Sequence, residues 1–125
     1  MRAAQRAYFD ALAEALCRPD ASVDRTGLLL RAESSEFIRF NGGAVRQATQ
    51  VQQALGTLSV VRGARRIEAR VTLSGVPEAD IAALRRERTE LVAALPEVAE
   101  DPHLLLPEAA THSERHDHGR LPDAA

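Results

Sequence analysis

At 125 residues and a formal net charge of −2, the chain has the size of one ordinary domain with room for a real core. That near-neutral balance argues against a dedicated nucleic-acid binder, which carries a basic surplus. No apolar run reaches the length of a membrane span. Trp is absent and the aromatic residues are Tyr8, Phe9, Phe37 and Phe40, so the core is aliphatic. Every cationic side chain is Arg, never Lys, which fits a GC-rich coding sequence. A single cysteine, Cys17, cannot form an internal disulfide and fits a reducing compartment. The N-terminus lacks a signal-peptide core, and Asp10 and Glu14 count against a transit peptide. Cytoplasmic is the expected localisation.

Residues 2–17 place Ala4, Ala7, Tyr8, Ala11, Leu12, Ala15 and Leu16 on one stripe, the i, i+3, i+4, i+7 spacing of an amphipathic helix. Arg18-Pro19-Asp20 ends it. Thr26–Glu33 reads as a first strand, with Leu28, Leu30 and Ala32 on one face. Ser34-Ser35 reads as a tight connection or bulge into a second strand, Glu36–Phe40. Asn41-Gly42 is a strong hairpin signal, because a type I′ turn needs positive φ at both central residues. After it, Val45, Gln47, Thr49 and Val51 alternate with Arg46, Ala48, Gln50 and Gln52. Gly56 reads as a bend or bulge that lets a long strand curl, with Thr57–Arg62 continuing beyond it.

Arg62-Gly63-Ala64-Arg65 is a second turn, and Arg66–Leu73 alternates cleanly, with Ile67, Ala69, Val71 and Leu73 inward. Pro77 suits the first turn of a closing helix, where Glu78 and Asp80 favour the positive end of its dipole. Ile81, Leu84, Leu91, Val92 and Leu95 form its stripe, and Pro96 ends it. The expected fold is therefore α+β. It comprises a curled antiparallel sheet of four to five strands, with helices 2–17 and 77–95 packed on one face, over residues 1–95. Residues 96–125, punctuated by Pro96, Pro102, Pro107 and Pro122, read as a Pro-rich linker or strap. Its one apolar cluster, Leu104-Leu105-Leu106, needs a neighbouring surface, so the chain reads as unfinished.

The polar sheet face carries the candidate chemistry. Arg39, Arg46, Gln47 and Gln50, with Gln52 and Gln53 nearby, can hydrogen-bond a peptide backbone or carboxylate laid along the sheet. Alternation prevents all of them from sharing one face. His112, His116 and His118, with Asp117, offer borderline zinc ligands. They lie in a polar tail with nothing to fix their geometry, so adventitious binding is the reading there. Phe37 and Phe40 among Arg39, Arg62, Arg65, Arg66 and Arg70 suggest a stacking platform for nucleic acid. A regular strand puts the two rings on opposite faces, so nucleic acid is the weaker expectation. No G-x-S-x-G, P-loop or G-x-G-x-x-G motif occurs.

The segment Ser35-Glu36-Phe37-Ile38-Arg39-Phe40-Asn41-Gly42-Gly43-Ala44-Val45-Arg46-Gln47-Ala48 resembles a known one. It is similar to the Ser-(Glu/Asp)-Phe-(Val/Ile)-Arg-Phe-Asn…(Val/Lys)-Arg-Gln-Ala run of a proteobacterial branch of the TldD/PmbA family of zinc metallopeptidases and their modulator subunits. Asp101-Pro102-His103-Leu104-Leu105-Leu106-Pro107 looks like the strap that follows in that branch. The resemblance covers nearly the whole chain and matches the family's N-terminal domain. It implies a longer protein whose C-terminal domain, in the catalytic subunit, carries a His-Glu-x-x-x-His zinc motif. It also implies dimers that enclose the active site and cleave unfolded or extended peptides. No His-Glu-x-x-x-His occurs here, so no catalytic residue carries over, no cofactor is expected in this chain, and zinc would belong to the C-terminal domain of a catalytic member. The implied partners are that C-terminal domain, a homologous TldD/PmbA-type subunit and an extended peptide. The alternative is a stand-alone peptide- or nucleic-acid-binding module.

Overall fold

In the computed structural model, which describes residues 2–120, helix α1 (Arg2–Leu16) precedes three strands, β1 (Arg25–Asn41), β2 (Ala44–Arg62) and β3 (Arg65–Thr72). Helix α2 (Pro77–Ala94) and a short 3-10 turn (Leu95–Glu97) follow. The strands form one antiparallel sheet in the order β1-β2-β3. The α+β class and the two helices agree with the sequence reading. Leu12 and Leu16 of α1, Leu84 and Leu91 of α2, and Leu95 are buried against Leu58, Val60 and Leu73 of the sheet side. Leu28 and Ala69 lie opposite Leu58, and Ile67 opposite Val60. All five belong to the same cluster, so both helices cover one face. The hydrophobic effect at each fully buried Leu is worth about 1.5–3 kcal/mol, and it fixes this layer.

The strand count differs from the expected four to five. Among the described residues there are three strands, because both anticipated breaks are absorbed into regular pairing. Ser34 lies opposite Gln52 and Ser35 opposite Val51, so β1 runs straight through. Gly56 pairs with Leu30 on one side and Val71 on the other, without a bulge. Its missing side chain serves packing instead. A Cβ there would stand 3.2 Å from Leu73 Cδ1, which occupies that space.

The irregularity sits at the hairpin tip. Gly42 and Gly43, with φ of 58° and 75°, are the two central residues of the turn, while Asn41 pairs with Ala44. The turn is therefore one residue later than Asn41-Gly42 suggests, and both left-handed positions are glycine. The register shifts between Arg39, opposite Gln47, and Phe40, opposite Val45. Arg46 is thus the extra residue of a β-bulge.

Beyond α2 the chain is irregular. Arg65 Nε donates to the Val98 carbonyl (2.8 Å), the Asp101 N–H to the Ala64 carbonyl (2.8 Å), and Arg25 to the Pro107 carbonyl (2.9 Å). Residues 98–107 are thereby tied to the β2–β3 turn end of the sheet. Leu105 remains 91% exposed. Pro122 and the end of the 96–125 segment lie outside the described residues. No described helix is long and apolar enough to cross a membrane.

Candidate functional site

β3 pairs with β2 over Leu55–Arg62 alone, yet β1 and β2 continue outward together as far as their turn. Their outer halves form a two-stranded arm. Alternation assigns its two faces. The core-side face continues from Leu28 and Leu30 through Ser34, Glu36, Ile38 and Phe40, with Gln52, Gln50, Ala48 and Val45 opposite. The other face carries Leu29, Arg31, Glu33, Ser35, Phe37 and Arg39, with Thr57, Leu55, Gln53, Val51, Thr49 and Gln47 opposite. Phe37, Ile38 and Phe40 are 53%, 52% and 64% exposed, so apolar surface lies open on both faces.

The four candidate site residues are divided by this geometry. Arg39 and Gln47 stand opposite each other on the outer face. Gln50 is on the core-side face, where its amide donates to Glu36 (3.0 Å). Arg46 occupies the bulge. Gln53 donates to Glu33 (3.1 Å), and hydrogen bonds from Gln53 and then Ser35 hold the Glu33 carboxyl below its ordinary range. Both arm carboxylates thus have amide donors. Among the described residues, Arg31, Arg39 and Arg46 have no hydrogen bond or ion pair within the chain. Phe37 and Phe40 lie on opposite faces, so they form no common stacking platform.

The arm's backbone is as informative as its side chains. The Leu73 N–H donates to the Ala54 carbonyl across the β2–β3 pair (2.9 Å). In an antiparallel strand each residue aims its N–H and C=O to one side, and successive residues alternate. Ala54, Gln52, Gln50 and Ala48 therefore present their backbone groups toward the β3 side. β3 ends at Thr72 and the Leu73 contact closes the ladder, so Gln52, Gln50 and Ala48 face a vacant edge. By the same alternation Leu28 through Phe40, at even positions, aim their backbone groups away from β2, along the other edge. That edge pairs with no described strand.

Where β3 stops, a cleft of about 380 Å³ opens between the arm's base and α1. Ala32, Ala54, Leu73 and the Tyr8 ring give it apolar walls, and Gln5, Ser34, Gln52 and Ser74 supply polar rims. A buried node fixes its corner. Tyr8 Oη donates to Asp80 Oδ2 (2.7 Å), Ser74 donates its N–H (2.8 Å) and hydroxyl (2.9 Å) to Asp80 Oδ1, and the Gly75 N–H donates to Oδ2 (2.9 Å). Burial pushes the Asp80 carboxyl up, but these donors, led by the Ser74 N–H, outweigh it and hold it below the ordinary range. Burial, the Asp80 hydrogen bond and its charge all raise the Tyr8 hydroxyl.

Tyr8, Ser74 and Asp80 were not among the expected site residues. A signal for Asp80 was present, since it lies four and eleven residues before Leu84 and Leu91 on the buried stripe of α2. In the tail, His116 pairs with Glu114 (2.7 Å), while His112 and His118 join no cluster. Among the described residues no three His, Cys, Asp or Glu side chains converge as a metal-ligand set. No protein-family model matches this chain, and no curated protein or solved structure is significantly similar to it.

Proposed function

We propose that this chain is a non-catalytic domain that holds an extended polypeptide in the cleft beside Leu73, with the incoming strand added to the vacant β2 edge. On this reading it serves as the N-terminal part of a TldD/PmbA-like peptidase assembly in the cytoplasm. It would shape a peptide channel beside a C-terminal domain and a homologous subunit, as the resemblance of Ser35–Ala48 implies. The observation that carries the reading is the coincidence of two features. Outward-facing backbone groups at Gln52, Gln50 and Ala48 line the free β2 edge, and at Gln52 that edge borders a largely apolar cleft of about 380 Å³. Strand addition takes its affinity from main-chain hydrogen bonds and its selectivity from pockets beside alternate side chains. Unpartnered Arg39 and Arg46 near the tip supply cations for a carboxylate on the docked chain.

Fluorescence anisotropy of labelled unstructured peptides titrated with the purified chain tests this. Saturable binding is expected, weakened about tenfold or more by Gln50→Pro. That substitution removes an outward N–H and leaves the β1–β2 ladder its donors. Binding that is absent, or indifferent to Gln50→Pro, overturns the reading. Zinc-dependent peptide cleavage by the chain alone overturns its non-catalytic part.

A further inference from the structure

We infer that the outer edge of β1 pairs with the β1 edge of a second copy, in an antiparallel register centred on Ser34, giving one continuous six-stranded sheet. The inference goes beyond the peptide-docking reading, because it uses the opposite edge of the arm. β1 spans Arg25–Asn41 and, among the described residues, pairs with β2 alone. A strand of that length, unpaired on one side and apolar along much of its course, is a template for another chain. Charged side chains, prolines or bulges on the edge strand would blunt it. β1 has no proline and no bulge of its own, and its charged residues, Arg25, Arg31, Glu33, Glu36 and Arg39, leave only registers that keep like charges apart.

Charge and shape select the occupant and the register. A two-fold axis at Ser35 sets Arg31 against Arg39 twice. One at Glu36 sets that carboxylate against itself, and one at Glu33 does the same. An axis at Ala32 sets Arg25 against Arg39 twice. With Ser34 on the axis, no like charges stand directly opposite. Leu28 then meets Phe40, Leu30 meets Ile38, and Arg31 meets the Phe37 ring. Cross-strand apolar pairs and a guanidinium over an aromatic face are each favourable. The axis also puts the hydrogen-bonding groups of Ser34 toward those of its mate, since even positions of β1 face outward. The exposed apolar side chains at the arm's tip, 64% accessible at Phe40 and 52% at Ile38, are thereby laid beside the half-buried leucines at the partner's base. Ser34-Ser35, which the fold of one copy does not use as a turn, gains a purpose. Small side chains at the axis let two backbones approach.

Sedimentation equilibrium on the full chain, with cysteine cross-linking in a Cys17→Ala background, tests this. A dimer is expected. Ser34→Cys should oxidise to a disulfide-linked dimer, and a mixture of Leu28→Cys and Phe40→Cys chains should cross-link to each other. Ser34→Pro, which removes one outward N–H at the axis, should raise the dimer dissociation constant about tenfold or more while far-UV circular dichroism stays unchanged. A monomeric chain overturns the inference, as does a dimer that cross-links at neither pairing. The peptide titration separates the two readings. Loss of dimerisation with peptide binding retained leaves the β2-edge reading standing, and a Ser34-linked dimer that binds no peptide removes that reading alone.

Discussion

Asp80 accepts four hydrogen bonds while only 4% exposed, and that single carboxylate joins α1, the β3–α2 loop and α2. Deleting it strands the Tyr8 hydroxyl and three Ser74 and Gly75 donors, so Asp80→Ala should cost about 3 kcal/mol or more in urea unfolding. Tyr8→Phe removes one bond and keeps the ring, and should cost about 1 kcal/mol. The pH dependence follows from the same node. Asp80 is held below its ordinary value of 3.8, so its contribution is complete above that value and is lost as pH falls through the lower folded value. Tyr8 is raised above its ordinary 10.0, so its contribution is complete below pH 10 and is lost on further alkalinisation. Urea midpoints of the parent and Asp80→Asn measured from neutral pH downward should therefore converge at the acid end, below about pH 4. Parallel curves over that range would show that the node does not titrate as described.

Elements are shaped by where glycine stands. Gly43 has φ of 75° with open space around its Cα, so a side chain there meets conformational strain and no clash. Gly43→Val should destabilise the hairpin by about 1–2 kcal/mol and slacken hydrogen-exchange protection at the arm tip before the core. Gly56 poses the opposite problem. Its backbone is ordinary, but Leu73 fills the space over it, so a larger residue would displace a core side chain. The sequence marks both positions with the same letter, and only the neighbours separate the two reasons. For helices the reading was easier. The apolar spacing of α1 was legible to within a residue of Arg2–Leu16, because a 3.6-residue stripe needs no partner to be recognised.

At the scale of the molecule, the buried residues all lie outside the outer half of the hairpin. Replacing Ser34–Gln52 with Asn-Gly should therefore preserve the helical circular dichroism signal and leave the melting temperature of the monomeric unit within a few degrees. The same deletion should abolish both peptide binding and self-association. A large loss of stability would mean that the arm belongs to the core after all. The candidate site was only partly legible. Arg39, Arg46, Gln47 and Gln50 were visible as polar residues in a strand, but register divides them between two faces and a bulge. The cleft was not visible, because it exists where a strand from the third quarter of the chain happens to stop short of its neighbours.

The order of helices and strands, the inward-facing residues and the α+β class were set by local periodicity, which depends on bond geometry and the preference of apolar side chains to leave water. Three things depended on the folded chain: the number of strands, the position of the turn and the length of the arm. Each is a question of register, and register is fixed by pairing between residues far apart in the chain. Ser34-Ser35 can turn or run straight, and only Gln52 and Val51 across from them decide.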